Sequence, residues 1–224
     1  MYTILNDRSI IRISGEDRLK FLQGLLSNDV NKLNEDNSLY ACMLTPQGKY
    51  FADFFLKTDE DSILLELPAL RKAEILKKLN MYKLRSAVSL VECSEYKIVY
   101  FQEELHNSSK RSFIFSDPRS KALGLRGIIH QNDFDDLTKD LENNQNIYDL
   151  DRIENFIAEG EKDLISEQSF LLEYGFDQLN AIDYKKGCYV GQELVARTHY
   201  RGVIRKQVVQ VESVNSLPAL NTPI

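Results

Sequence analysis

Apolar positions along the chain alternate in some stretches and recur every three to four residues in others. These two periods divide it into strands and helices. Ile10, Ile11 and Ile13 predict a first strand. Ser14 reads as an N-cap with Asp17 as a shortened capping box, and Leu19, Leu22, Leu25 and Leu26 follow at helical spacing. That helix should stop near Ser27, Asn28 and Asp29. Residues 39–45 and 50–57 read as two strands joined by a turn holding Pro46 and Gly48. A further strand is expected at 63–67. Pro68 should open a helix to about Leu79, with Leu70, Ala73, Ile75, Leu76 and Leu79 on its apolar side. Strands are expected at 87–92, 96–101, 111–115 and 124–129. Residues 133–146 are acidic and amide-rich and read as a solvated helix or loop. Helices at 147–158 and 167–172 follow, and 203–212 alternates like a strand. Strands mixed with helices, without strict alternation, predict an α+β fold with mixed or antiparallel sheets. No internal repeat or low-complexity linker divides the chain, so one compact body is expected.

Composition narrows the function. The chain has 224 residues, 43% hydrophobic and 28% charged, enough for a sizeable core. Its net charge of -6 argues against a broad nucleic-acid surface. Cys42, Cys93 and Cys188 are too few and too scattered for a disulfide framework, and no CxxC suggests a local zinc site. The first fifteen residues lack the basic start and apolar run of a signal peptide, and Asp7 argues against a transit peptide. No apolar run approaches the ~18 residues of a membrane span. The expected compartment is the cytoplasm, with no nucleic-acid or membrane partner.

The most informative segment is 186–197, KGCYVGQELVAR. Cys188 lies between Gly187 and Gly191, in a turn expected to open onto a helix. Glycine permits positive φ and close backbone approach. A helix N-terminus and a neighbouring cation such as Lys186 both favour a thiolate. The plain alternative is that a free cysteine is a small buried hydrophobe.

This motif, with its continuation from Thr198 to Lys206, resembles the signature of the YgfZ family, and most closely its mitochondrial-type branch. These folate-binding relatives of the glycine-cleavage T-protein serve in iron–sulfur cluster assembly and repair. Further blocks resemble the family in order: 14–17, 21–24 and 27–29; 47–49 with Asp53; 84–86; 117–119 and 123–126; then Arg152, Leu172, Glu173 and Asn180. A proline common in the family near Leu171 is missing. The resemblance implies an aminomethyltransferase-like folate-binding core over 1–202, built of two intertwined α+β halves. Residues 203–224 would begin a C-terminal β-barrel that is mostly absent, since about twenty residues cannot close one. Residues after Ser213 are then expected to pack poorly.

The resemblance implies tetrahydrofolate as cofactor, no metal ligand set, and iron–sulfur client enzymes or assembly proteins as partners. A carboxylate can accept both the amino group and the adjacent ring N–H of a reduced pterin. Asp53, Glu173 and Glu193 are the candidates. Arg85, Arg126, Arg197 and Arg201 could clamp an anionic tail, and Tyr189 could stack on a flat ring. Lys186, Cys188 and Gln192 belong to the motif itself, with Lys186 and Cys188 as the reactive pair. The most discriminating observation is whether a pocket beside Cys188 runs into a central cavity lined by Asp53 and Glu173. The implied function is a tetrahydrofolate-binding assembly or repair factor. An aminomethyl transferase of the T-protein kind, with Asp53 at its acidic position, and a non-catalytic folate-binding scaffold remain as alternatives. Cysteine-nucleophile catalysis with His199 as base is disfavoured, because ten helical residues would separate the two by about 15 Å. His106 and His130 are isolated in sequence.

Overall fold

The computed structural model describes residues 1–103, 105, 111–204, 206–209 and 211. The chain begins with β1 (Tyr2–Ile4), β2 (Arg8–Ser14), α1 (Arg18–Gln23), β3 (Ser38–Leu44), β4 (Tyr50–Asp59) and β5 (Ser62–Pro68). Next come α2 (Lys72–Lys83), β6 (Ser89–Cys93), β7 (Tyr96–Phe101), β8 (Phe113–Ser116) and β9 (Leu125–His130). It continues with α3 (Phe134–Thr138), α4 (Ile147–Glu154), α5 (Gly160–Asp163) and α6 (Gln192–Arg201). Two sheets form, β3-β4-β5-β2-β6 and β1-β7-β9-β8, and every pair within them is antiparallel. The α+β expectation is met.

The period-two alternation of the strands decides which side chains meet. On β4, Phe54 and Leu56 join Ile11, Ile13, Ala41, Met43, Leu65 and Leu67 in a core covered by Phe21, Leu22, Ile75 and Leu79 of α1 and α2. The alternate residues, Tyr40, Cys42, Phe55, Leu64 and Ile10, face the other way. They pack with Tyr100, Ile128 and Phe115 of the smaller sheet and with Tyr148 of α4. Both faces of β4 and β5 are therefore covered, which explains their almost continuous burial. A third core, with Val99, Phe101, Ile129, Phe134 and Leu137, lies between the smaller sheet and α3.

Several expectations need correction. Ser14 ends β2 instead of capping a helix, and Asp17 precedes α1. The Asp17 carboxylate accepts the Ala87 amide hydrogen instead. Residues 69–71 form a 3-10 turn before α2, which leaves Leu70 96% exposed rather than on the apolar side. The acidic segment is not merely solvated, because Phe134 and Leu137 in α3 are buried. The helix expected at 167–172 is a 3-10 turn at Leu171–Tyr174. The described residues of 203–211 form no strand, though the Val208 N–H donates to the Glu173 carbonyl. His106 and the segment after Ser213 lie outside the described residues.

Candidate functional site

The cysteine motif is built against the end of α1. A helix leaves its last carbonyls without intrahelical donors. The Lys186 ammonium fills that role for Gln23, the last residue of α1, at 3.0 Å, and also donates to the Leu26 carbonyl at 2.5 Å and the Asn28 carbonyl at 2.7 Å in the turn after it. A cation is also favoured electrostatically at a helix C-terminus. Main-chain bonds extend the seam: Asp183 N–H to Ser27 O, and Val190 N–H to Gly24 O. The Ser27 hydroxyl donates to the Ala181 carbonyl at 2.6 Å and accepts from Cys42 N–H. The Asn28 amide donates to Tyr40 and Asn180 carbonyls. Burial pushes Lys186 down to about 8, against the opposing pull of Asp29 and Asp183.

A second contact fixes the other end of the loop. Gly191 caps α6 at φ 81, and a Cβ there would lie 2.4 Å from the Thr45 carbonyl oxygen. Gly48, in the β3–β4 hairpin, has φ 76 and meets Leu194 in the same way. Gly187 differs: nothing lies within 4 Å of a Cβ built on it. Of the two glycines expected to ease the turn, only Gly191 is sterically required. Between these anchors Tyr189 turns into the core, while Gly187 and Cys188 are exposed. Cys42 and Cys93 are buried. Burial pushes the Cys42 thiol well up, and burial followed by Glu95 raises Cys93.

Lys186 therefore ties two segments together through its ammonium. His199 stacks on Tyr184 at 3.7 Å between ring centroids and meets Tyr200 edge-on. Among the described residues it has no hydrogen bond to Cys188, and a cysteine–histidine catalyst is not formed. The buried Tyr184 hydroxyl lacks a hydrogen-bond partner among the described residues.

The remaining candidates do not converge. Glu193 and Arg197 pair with each other at 2.7 Å on an exposed face of α6. Gln192 is half-buried at the start of that helix, and Arg85 and Arg201 are exposed. Tyr189 is too deeply packed to serve as an open stacking plate. Glu173 lines a pocket of about 220 Å³ walled by Leu171, Leu172, Leu194, Val195 and Ile204. Neither Asp53 nor Cys188 lines that pocket.

Asp53 instead lies in a sealed ionic network between the sheets. Its carboxylate accepts from Arg8, from Tyr40 at 3.2 Å and from Tyr50 at 2.9 Å. Glu66 accepts from Arg8 at 2.8 Å and from Arg126 at 2.5 Å. Arg119 joins Asp117 at 2.7 Å and Glu159 at 3.2 Å, and Tyr148 donates to Glu159. Gly160 closes the network, since a Cβ there would lie 2.0 Å from Asp53 Oδ1. Burial alone would push Asp53 up, but Arg8, the Tyr50 hydroxyl and Arg119 hold it below the usual carboxylate range. Burial likewise opposes ionisation of Glu66, and Arg126 and Arg8 outweigh it. Arg126, expected as a tail clamp, is fully buried on Glu66.

Sequence reading missed Arg8, Glu66, Arg119 and Glu159. The one available signal was a charge inside an apolar strand, as Glu66 is in SILLELP. Alternation places Glu66 on the same face as Leu64.

No family model matches the chain. It is 35% identical over 221 residues to a mitochondrial iron–sulfur cluster assembly factor IBA57 homolog of Mycosarcoma maydis, covering 90% of this chain and 54% of that protein. For the Neurospora crassa homolog the identity is 34%, over 92% of this chain and 52% of the relative. The Dictyostelium discoideum homolog is 29% identical, with 98% and 65% covered. The chain thus spans about half the length of the first two relatives. Among solved structures, it resembles the glycine cleavage system aminomethyltransferase T from Bartonella henselae, with a TM-score of 0.51 and 14% identity. That match covers 62% of this chain and 44% of the other, and it shows the fold. These relatives are named as mitochondrial proteins, which overturns the cytoplasmic expectation.

Proposed function

We propose, from the premise that the chain's homologues are iron–sulfur cluster assembly factors, that it is the core of such a factor and works through Cys188. The observation that carries this is the contrast among the cysteines: Cys188 is exposed on a loop anchored at both ends, and the other two are buried. A loop fixed by Lys186 and Gly191 holds its thiol in one place without spending it on packing. A thiolate is the form that ligates iron or enters disulfide exchange. Each cluster is held by about four protein ligands. A single cysteine supplies one, so a cluster held at Cys188 takes the others from a second protein. The partner is then part of the site.

Tetrahydrofolate, which the family resemblance implies, fits these residues poorly. Asp53 already accepts from one guanidinium and two phenols and faces Gly160. Glu193 is engaged with Arg197 on an open surface. A folate contact falls to Glu173 and its small apolar pocket. The same sealing of Asp53 disfavours an aminomethyl transferase that would use it.

The assembly role is tested in cells lacking the endogenous factor. Expression of this chain should restore the activity of iron–sulfur enzymes. Failure of a folded, expressed chain to restore them would remove the proposal. Calorimetric titration with tetrahydrofolate should show no binding that Asp53→Asn alters.

A further inference from the structure

Beside the Cys188 loop lies a groove that the preceding reading leaves unused. It encloses about 520 Å³ between α1, the turn after α2 and Val190, which is two residues beyond Cys188. Phe21, Leu25 and Tyr82 form its apolar wall, and Lys20 and Arg85 contribute its cations. Both cations are exposed, and neither makes a salt bridge among the described residues. Asp17, the carboxylate in the lining, is occupied by the Ala87 amide. The chain carries a net charge of -6. Two unpaired cations here therefore stand against the prevailing charge of the molecule.

Leu84 supplies an independent observation. It ends α2 with φ 47 and ψ -110, a region that residues with a Cβ rarely adopt. Its side chain is nevertheless 87% exposed. The Ser86 N–H donates to the Lys83 carbonyl at 2.8 Å, so Leu84 takes the positive-φ position of a tight turn. The turn leaves this apolar side chain exposed, next in sequence to Arg85, which lines the groove.

We propose that this groove docks an acidic segment of the partner protein that meets Cys188. Arg85 and Lys20 pair with carboxylates of the segment, and Leu84 is covered by one of its apolar side chains. The proposal rests on the reading of Cys188 given above. A protein segment fits better than a small free anion. The two cations sit on separate elements across an apolar wall. Arginine and tyrosine are also the residues on which interface energy concentrates.

The test uses the intact chain and two readouts. First, Lys20→Glu with Arg85→Glu should lower the restored iron–sulfur enzyme activity by about fivefold or more. The thermal midpoint should stay unchanged, because both altered groups are exposed. Second, a fluorescein-labelled synthetic peptide of Asp, Glu and Leu should bind saturably in anisotropy measurements. Arg85→Glu, or added salt, should weaken that binding by about tenfold. Leu84→Ser should weaken it while leaving its salt dependence intact. Unchanged enzyme activity in the charge-reversed variant overturns the proposal. So does peptide binding indifferent to both substitutions. Competition by inorganic phosphate as strong as that of unlabelled peptide would mark a small-anion site instead, and also overturns it. If Cys188→Ser abolishes enzyme activity while charge reversal does not, docking here fails and the Cys188 reading stands. The converse result separates the two in the other direction.

Discussion

The Lys186 ammonium nitrogen lies 2.7 Å from the carbonyl oxygen of Asn28, although 158 residues separate them in the chain. The bond joins the turn after α1 to the loop that exposes Cys188. Because Lys186 is buried, its proton is linked to stability. A lysine held near 8 when folded, against about 10.4 when unfolded, makes the unfolded chain the stronger proton binder between those values. Stability from this group therefore rises with pH across that window. Lys186→Met should lack the rise, and its stability relative to the native chain should worsen by on the order of 1 kcal/mol from pH 8 to 10, allowing for partial solvent screening. Chemical denaturation at several pH values measures the difference. A difference independent of pH would show that Lys186 titrates normally.

Gly191 and Gly187 should respond differently to the same substitution. Gly191→Ala forces a Cβ into the left-handed region and against the Thr45 carbonyl. A loss on the order of 2 to 3 kcal/mol is expected. Gly187→Ala meets open space and should change stability by less than about 0.5 kcal/mol. Equal effects in urea denaturation would contradict the anchored loop.

The ionic network predicts an acid limb. Asp53 and Glu66 both sit below their ordinary range, so their contribution is complete above about pH 4.5 and is lost as pH falls below it. Glu66→Gln should flatten that limb. Glu66→Ala removes the carboxylate shared by Arg8 and Arg126 and should cost about 3 to 5 kcal/mol. An acid profile unchanged by Glu66→Gln would place the acid sensitivity elsewhere.

Burial should also sort the cysteines. Native-state alkylation followed by mass spectrometry should modify Cys188 while Cys42 stays protected until unfolding. Similar rates at the two positions would show that the core around Cys42 opens readily.

The elements legible in the sequence are those whose signal is local. The β3–β4 hairpin follows from two apolar runs around Pro46 and Gly48, and α1 from its leucine spacing. Leu70 misled because its apolar character fits a helix that has not yet begun there. Phe134 and Leu137 were hidden by their acidic neighbours, since composition does not report which side of a short helix meets a sheet. The cysteine motif stood out as one continuous stretch. The partners of Lys186 did not, because its acceptors are main-chain carbonyls, which every residue has. Asp53 was recognisable as important but not as sealed. Arg8, Glu66 and Arg126 meet only through strand pairing and the stacking of two sheets.

Cys188→Ser tests the central claim most directly. In cells that depend on this chain for cluster assembly, iron–sulfur enzyme activity should fall to the level without the chain, and Cys42→Ser serves as the comparison. The thermal midpoint of purified Cys188→Ser should lie within about 1 °C of the native chain, since an exposed side chain contributes little to packing. Full enzyme activity with Cys188→Ser, or a loss that merely tracks unfolding, would contradict a functional thiol at this position.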